Sequence, residues 1–394
     1  MKILYVFGSS DATYITDALR KLNYDVMEYP EIQDTSNMDE DKINAVVAYI
    51  KEHGITHLMS IHLIYNIAVA AYWSGIKYVP VIWDAPYLKS YTVMGTLDNI
   101  WYSVFDKLDA ERMRKGGCPH VLYQPLSVNS DREATGKNGA ISEREYIHDI
   151  SFIANLYEKN EYDRCLDLIP PNIQEYFCSI FEEAAFKWDG INRVYGQTGQ
   201  EILDYIGLVS PAFKISNPYN IEDVRYFEAA YLIRKLANIE RVCTLNLLAE
   251  DHDVYLYTYS AVDRAVMPKV HLRPPVLVGE ATSFIYTVSK INLNIALKGI
   301  EGGTPQRIMD IMGAGGFVLT NYCEETAELF EEDREIVMFR TPEELLWKVD
   351  YYLEHEEERE QIARAGHAKA MSNYTYEKKI KRLLDWVTET ERGE

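Results

Sequence analysis

The stretch KINLNIALKGIEGGTPQRIMDIMGAGGFVLTN, residues 290–321, decides the fold class of this chain. It predicts an apolar strand, a loop with Gly302-Gly303, a helix, and a second apolar strand after the glycine cluster at 313–316. Glycines without a Cβ let a ligand approach the backbone, and the free N–H groups of a helix start favour an anion. The second glycine cluster lets the next strand pack close to the helix. The stretch therefore predicts an anion-binding α/β domain.

Three residues at the start of this helix are candidate ligands. Thr304 is the predicted N-cap, with Pro305 at the first helical position. Arg307, in the first turn, would add a bidentate contact to a phosphate. Asp310 lies three residues further on the same side of the helix, where a carboxylate accepts two hydrogen bonds from neighbouring sugar hydroxyls. The alternative is a tight glycine loop followed by an exposed aspartate.

The strand before the loop offers two further candidates, Asn294 and Lys290. Asn292 and Asn294 point to the same face of the sheet by strand alternation, and Asn294 lies nearer the carboxyl end, where open α/β sheets place their sites. Lys290 starts the strand, so it would reach a leaving phosphate only if the strand presents that end to the ligand. We predict Asn294 as the ligand and keep Lys290 as a second candidate.

Outward from this stretch, the chain alternates short apolar runs with helical patterns. Residues 1–126 contain the runs ILYVF, YDVMEY, THLMSI, KYVPVIW, IWYSVF and HVLYQ, separated by helical stretches. Strands alternating with helices indicate a parallel sheet with crossover helices. We therefore predict an N-terminal doubly wound domain over 1–126 and a polar linker over 127–148.

A second α/β domain is predicted over 149–375. Its strands are DISFIA, DVYLYTY, PPVLVG, KINLNIA, GFVLTN and EIVMF, and a Tyr-rich helical insertion interrupts them at about 166–248. Thr341 and Pro342 predict a helix start, with threonine as N-cap and proline at the first helical position. A C-terminal helix over 376–394 would return to the N-terminal domain.

Length and charge limit the function. A chain of 394 residues is long enough for two to three domains. Forty basic against 61 acidic residues leave a net charge of −21, which argues against nucleic acid and anionic lipid as partners. The longest apolar stretch after the N-terminus, residues 63–73, is too short to span a bilayer. Any phosphate group that this protein binds must therefore be held by a local site, and not by the overall charge of the chain.

The cysteines indicate a reducing compartment. Their number, five, is odd, and none forms a CxxC pair. This usage is typical of free cytosolic thiols, without a disulfide framework or a zinc site. The first residues, MKILYVFGSS, predict a strand and lack the apolar core of a secretory signal. We expect a cytoplasmic protein without a zinc site.

Several segments resemble the group 1 glycosyltransferases, specifically their spore-maturation CgeB-like branch. The C-terminal resemblance is long and specific. It includes INLNI, GGTPQRIMDIMGAGGFVLTNY, ELFEEDREIVMF, TPEELLWKVDYYLEHEEEREQIARAG and Tyr374-Thr375-Tyr376. The N-terminal half is similar to the companion domain through SIHLIYNIAVAAYWSGIKYVPVIWDAPY, NIWYSVFDK and VLYQPLSVN.

The resemblance implies a GT-B fold, in which two Rossmann-like domains face each other across a cleft. It also implies a nucleoside-diphosphate sugar as donor, bound mainly by the C-terminal domain without a metal or other cofactor. Gly303 and Thr304 would face the diphosphate, and Asp310 would hold the ribose.

Two further loops are assigned by the resemblance. Val278-Gly279 would hold the base, and the loop from Asn155 to Tyr157 would close on the phosphates. One position departs from the family pattern, because many retaining relatives carry a glutamate where this chain has Gly302, with Glu301 beside it. The contact of that glutamate with the donor sugar is therefore in doubt, and so is the stereochemical outcome.

The acceptor side would belong to the N-terminal domain. Asp84 follows the strand VPVIW and precedes Ala85-Pro86, and His62 ends the strand THLMSI. Either is a candidate general base for an acceptor hydroxyl, and His62 could instead contact the transferred sugar. The alternatives are a turn-forming aspartate and a structural histidine.

The resemblance, together with these residues, implies a metal-independent glycosyltransferase of the hexosyltransferase type. Its acceptor would be a hydroxyl of a carbohydrate, a glycolipid or a protein. A nucleotide-sugar epimerase of the same fold and a non-catalytic sugar-nucleotide-binding protein are the alternatives. The absence of the family's glutamate at Gly302 favours the non-catalytic sugar-nucleotide-binding protein.

Overall fold

The structure, a computed structural model, describes residues 1–8, 13–30, 38–131, 145–219, 221–277 and 279–392. It contains two six-stranded sheets in which every paired strand is parallel. Helices cover the faces of both sheets, as continuous apolar strands require. The predicted pair of doubly wound α/β units is therefore confirmed.

The first sheet has the strand order β2-β1-β3-β4-β5-β6. Its strands are β1 (Lys2–Val6), β2 (Asp25–Tyr29), β3 (His57–Ile61), β4 (Lys77–Ile82), β5 (Trp101–Val104) and β6 (His120–Tyr123). Its connecting helices are α1 (Tyr14–Lys21), α2 (Glu40–His53), α3 (Tyr65–Ser74) and α4 (Lys107–Lys115). The chain leaves β1 toward β2 and then returns to the other side of β1, so the topological switch point lies between β1 and β3.

A helical segment separates the first strand of the second sheet, β7 (His148–Ile153), from the next. It contains α5 (Glu161–Arg164), α6 (Pro171–Ala184), α7 (Gln200–Val209), α8 (Asp223–Phe227), a π-helical turn over Glu228–Leu232 and α9 (Ile233–Leu248). These helices bury their own aromatic cluster, which includes Tyr162, Phe177, Phe181 and Phe227. The segment is therefore a helical subdomain with a hydrophobic core of its own.

The second sheet has the order β12-β11-β10-β7-β8-β9. Its other strands are β8 (Val254–Tyr257), β9 (His271–Arg273), β10 (Ser289–Asn294), β11 (Val318–Asn321) and β12 (Val337–Phe339). The remaining helices are α10 (Glu280–Val288), α11 (Gln306–Gly313), α12 (Glu324–Leu329), α13 (Pro342–Glu354), α14 (Glu356–Asn373) and α15 (Tyr376–Arg392). The switch point of this sheet lies between β7 and β10.

Helix α15 packs on the first sheet. Ile380, Leu383 and Val387 are fully buried in one cluster with Ile3 and Tyr5 of β1. One face of the first sheet is thus covered by residues from the far end of the sequence.

Two predictions of local structure are wrong. Residues 274–277 of the run PPVLVG do not form a strand, and the edge strand β9 lies just before them at His271–Arg273. Proline cannot donate to a strand ladder, and edge strands are often short and polar. Helix α11 begins at Gln306, so Pro305 holds the N-cap position that we predicted for Thr304. The Thr304 hydroxyl bonds Thr326 Oγ1 instead, at 3.1 Å.

Two other local predictions are confirmed. Thr341 caps α13, and its side chain accepts a hydrogen bond from Glu344 N. Gly316 permits a close approach, because a Cβ there would lie 2.7 Å from Asn292 Nδ2 and 2.9 Å from Ile311 of α11. The second glycine cluster therefore does let strand and helix pack closely.

The carboxyl edges of the two sheets meet. Asp106, at the start of α4, accepts hydrogen bonds from the backbone N–H groups of Glu301 (3.0 Å) and Gly302 (2.9 Å). Pro86, after β4, lies 3.3 Å from where a Cβ on Gly299 would be. The loops that follow the strands of one sheet thus face those of the other.

Candidate active site

A cavity of about 270 Å³ lies at the switch point of the second sheet. The loop after β7, the ends of β8 and the first turns of α10 and α11 form its walls. Its lining includes Ile153, Asn155, Thr258, Tyr259, Thr282, Arg307 and Asp310. Ligands of open α/β sheets bind in this crevice, outside the carboxyl ends of the strands. The structure thus brings together three of the residues that we predicted to bind the donor, Asn155, Arg307 and Asp310.

Arg307 is held at this switch point by both central strands. Its Nε donates to the carbonyl of Ile153 at the end of β7 (2.8 Å), and its Nη1 donates to Asn294 Oδ1 at the end of β10 (2.7 Å). Asn294 is fully buried, and its amide donates to Thr320. Burial lowers the pKa of the Arg307 guanidinium. The hydrogen bond from Arg307 to Asn294 thus fixes the orientation of the guanidinium. Within the described residues, Arg307 forms no ion pair with a carboxylate.

A second arginine, Arg241 of α9, lies beneath the same edge. Its Nη2 donates to the carbonyl of Ile295 (2.9 Å), and its Nη1 donates to that of Asn155. Burial, together with the charge of Arg307, lowers the pKa of Arg241 to about 10. The sequence pattern missed this role, since Arg241 lies inside a helix of the insertion, far in sequence from the strands that it contacts.

Asp310 lies one turn after Arg307 on α11. Its Oδ1 accepts a hydrogen bond from Gln306 Nε2 at 3.1 Å, and the side chain remains partly exposed to the cavity. Across the cavity, Gly279 starts α10 with a φ of +132°, a conformation that favours glycine. Its N–H donates to Thr282 Oγ1. The predicted partner of Gly279, Val278, lies outside the described residues.

The loop after β7 is a structured turn. Asn155 Oδ1 accepts a hydrogen bond from Tyr157 N at 2.6 Å, and Tyr157 has a left-handed φ of +55°. Ser260 Oγ accepts from Leu156 N (2.9 Å) and thereby ties the turn to the segment after β8. The turn places the exposed Asn155 at the rim of the cavity, while the Tyr157 ring packs near Arg241.

Three other candidates lie apart from the cavity. Gly303 and Thr304 are buried, and a Cβ on Gly303 would lie 2.8 Å from the Phe105 ring of the first unit. Lys290 pairs with Asp149 at 2.7 Å at the start of β10, which is the opposite edge of the sheet from the cavity. Lys290 lies near the amino end of β10, whereas the cavity lies at the carboxyl end of that strand.

Glu301, beside the glycine that stands at the position of the missing glutamate, is held in two ion pairs. Its carboxylate pairs with Arg112 of α4 (2.5 Å) and Arg225 of α8 (3.2 Å), and only 15% of its side chain is exposed. The Arg225 guanidinium also lies over the Tyr195 ring. Glu301 therefore joins the first unit, the loop after β10 and the helical segment.

On the opposite side of the interface, the structure brings Asp84 and His62 together. His62 Nε2 lies 3.3 Å from Asp84 Oδ2, and the His62 ring stacks on Tyr87. His62 has a φ of +59° and follows β3 at the switch point of the first sheet. Asp84 is 75% exposed, so the pair presents an open carboxylate held by an imidazole.

No three His, Cys, Asp or Glu side chains among the described residues are grouped as metal ligands. No described helix is long and apolar enough to cross a membrane.

Comparison with known proteins adds a family match. Residues 248–385 match the family model described as glycosyl transferase-like. The matched region contains Arg307 and Asp310 and excludes Asn155. A search of curated protein sequences found no match.

Solved structures share the whole fold. They include a glycosyltransferase from Rickettsia africae (10% identity, 98% of each chain covered, TM-score 0.50) and T4 phage BGT in complex with its UDP-glucose substrate (9%, 98% of each chain, 0.51). Sucrose-phosphate synthase from Thermosynechococcus elongatus is similar over 100% of both chains (7%, 0.54). The chain therefore has the predicted GT-B fold. Together with the family match, this fold supports the resemblance to group 1 glycosyltransferases.

Proposed function

We propose that this protein transfers a sugar from a nucleoside-diphosphate sugar to an acceptor hydroxyl. The observation that supports it best is the cavity at the switch point between β7 and β10, which Asn155, Arg307 and Asp310 line together. The family match over residues 248–385 includes two of these three residues.

The donor would lie across the start of α11. Arg307, fixed by Ile153 and Asn294, would contact the diphosphate, and the dipole of α11 would favour its negative charge. Asp310 would accept hydrogen bonds from the two ribose hydroxyls. The loop at Val278-Gly279 would hold the base. Gly303 and Thr304 remain proposed diphosphate contacts, which would require the loop to move from its packing on Phe105.

The leaving diphosphate would be stabilised by fixed protein charges. Arg307 and Arg241 lie at one sheet edge, and each is oriented by backbone carbonyls at the strand ends. Donors fixed before the reaction stabilise developing charge effectively in a partly buried site. We therefore propose catalysis without a divalent metal or another cofactor.

The acceptor hydroxyl would be deprotonated by the pair on the first unit. Asp84 offers an exposed carboxylate, and His62 lies within 3.3 Å of it. A base positioned in this way takes the proton as the hydroxyl attacks the sugar. The acceptor remains open among a carbohydrate, a glycolipid and a protein. A hexose as the transferred sugar, membership of the CgeB-like branch and a cytoplasmic location are part of the same proposal.

Donor binding tests the assignment. We would titrate the purified chain with UDP, GDP, dTDP, CDP and ADP and follow its melting temperature, because a ligand of the native state raises it. Asp310→Ala should weaken the best ligand by at least about tenfold, since two hydrogen bonds to a charged group are lost. Asp204→Ala is the matched control, because Asp204 also accepts a hydrogen bond from a glutamine four residues before it, on an exposed helix. Equal affinity of the wild type and Asp310→Ala would refute the ribose assignment.

Product analysis separates the three functions. Incubation of the wild type with the matching nucleotide sugar and an acceptor panel should yield a glycosylated acceptor, with full activity in excess chelator. A strict metal requirement would contradict the proposed mechanism. An isomerised sugar from donor alone would show an epimerase, and binding without any turnover would show a sugar-nucleotide-binding protein.

A further inference from the structure

A second cavity, of about 360 Å³, lies where the chain crosses between the two units. One wall is the segment from Tyr123 to Ser127 after β6, and another is the start of α15. These two crossings are joined to each other, because Val128 N donates to the carbonyl of Tyr374 (2.8 Å) and Tyr376 N donates to that of Val128 (3.2 Å). The cavity lies apart from the proposed donor and acceptor residues, none of which lines it.

We call this cavity between the two crossings the hinge cavity. Four basic side chains line it, in a chain whose net charge is −21. Lys107 pairs with Glu328 outside it. Lys378 donates to the carbonyl of Ser372, and Lys379 donates to that of Pro125. The fourth, Arg382, is exposed and makes no hydrogen bond or ion pair within the described part of the chain. None of Lys378, Lys379 and Arg382 therefore makes an ion pair with a carboxylate there. Burial lowers the pKa of Lys379 to about 7, against the opposing effect of the Glu325 charge.

Two buried groups in the lining have unused hydrogen-bonding capacity. Lys379 is 6% exposed, and its ammonium group makes one hydrogen bond, at 3.0 Å, out of three possible. Gln124 is 2% exposed, and its Nε2 has no hydrogen-bond partner among the described residues. Buried donors are normally satisfied, so donors without partners at a cavity wall point to a missing acceptor.

The position of the cations on α15 supports the same conclusion. Lys378, Lys379 and Arg382 lie in the first two turns of this 17-residue helix. The positive end of a helix dipole favours acidic side chains and disfavours basic ones. An anion in the cavity would interact favourably with the helix dipole, with Lys378 and Arg382, and with the protonated form of Lys379.

We propose that the hinge cavity binds a small phosphate-bearing anion, held by Arg382, Lys378, Lys379 and the Gln124 amide. Its concave shape and limited volume suit a small molecule. Because both crossings between the units line it, an occupant would also tie these two segments together.

Calorimetric titration of the full chain tests this. The probes are inorganic phosphate, inorganic pyrophosphate and glucose 6-phosphate, with sodium chloride at equal ionic strength as the blank. Arg382→Gln removes the exposed cation, and Gln124→Leu removes the amide without changing the charge. Lys381→Gln is the matched control, because Lys381 is its exposed neighbour and pairs with Asp385 on the same helix. Arg307→Gln reports on the donor cavity.

At least one probe should bind the wild type, Lys381→Gln and Arg307→Gln with the same affinity. Arg382→Gln should bind it about tenfold more weakly, with an unchanged melting temperature when no probe is present. Gln124→Leu should also bind more weakly. The probe that binds best identifies free phosphate, a monoester or a diphosphate as the occupant. The proposal is overturned if no probe binds the wild type at millimolar concentration, if Arg382→Gln binds as the wild type does, or if only Arg307→Gln loses binding.

Discussion

At the scale of single residues, the two sides of the interface are held differently. Arg307 is fixed by hydrogen bonds to two strands, so little reorganisation is needed when a charged ligand arrives. Asp84 is mostly exposed and is held by its contact with His62. We expect the donor side to control affinity and the acceptor side to control turnover.

Replacing Asp84 by asparagine tests this division. The amide cannot take a proton, so kcat should fall by about 10²- to 10⁴-fold while donor affinity stays unchanged. Steady-state kinetics and donor titration measure the two effects. Asp98→Asn, an exposed aspartate of the same unit, should behave as the wild type does. A wild-type kcat in Asp84→Asn would exclude Asp84 as the base.

Glu325 should make stability depend on pH. It is 2% exposed, and burial raises its pKa to about 7. The charged and titratable groups around it are Tyr123, Asp106, Lys107 and Lys379. Between about pH 4.5 and pH 7 the folded state binds more protons at this site than the unfolded state does, so its contribution to stability falls as pH rises.

The variant Glu325→Gln should therefore melt at a higher temperature than the wild type at about pH 8. The free-energy difference is at most roughly 3 kcal/mol, and it should vanish below about pH 3.5, where Glu325 is protonated in both states of the wild type. Melting curves across this range measure it. A difference that is independent of pH would contradict a buried, titrating carboxyl group.

At the scale of elements, Gly316 decides how closely β11 and α11 pack. A methyl group there would lie 2.8 Å from the carbonyl of Tyr286 and 2.7 Å from Asn292 Nδ2. Gly316→Ala should therefore lower stability by about 1–3 kcal/mol through overpacking. Gly207, inside α7, has nothing within 4 Å of its Cβ position, so Gly207→Ala should be neutral or stabilising by up to about 1 kcal/mol. Chemical denaturation of both variants tests the contrast, and equal effects would contradict it.

The sequence pattern predicted elements well where apolar runs are bounded by turn residues. It failed at 274–277, where an apolar run contains two prolines and the polar edge strand His271–Arg273 takes its place. In the cavity, Arg307 and Asp310 were predictable from the glycine loop and the helix start that follow β10, whereas Asn155 was assigned by the family resemblance. Arg241 and the partners of Glu301 were not, because only the packing of distant helices brings them to the strand ends.

At the scale of the whole molecule, Glu301 connects three parts of the chain through Arg112 and Arg225. Glu301→Gln would leave two partly buried arginines without their counter-charge. We expect a loss of roughly 1–3 kcal/mol, less than for a fully buried pair because the arginines are partly exposed. Glu161→Gln, which breaks an exposed pair with Arg164, should cost less than about 0.5 kcal/mol. Thermal unfolding of both variants measures this, and an unchanged melting temperature in Glu301→Gln would show that the bridge does not hold the units together.

Helix α15 also has a consequence for how the protein is made. The first sheet is complete at Tyr123, yet the helix that covers its β1 face begins about 250 residues later. At about 5–20 residues per second, the ribosome needs roughly 12–50 s to reach it. During that time the apolar face around Ile3 and Tyr5 is covered by α1 but lacks the contribution of α15. This interval should make the growing polypeptide a client of ribosome-associated chaperones.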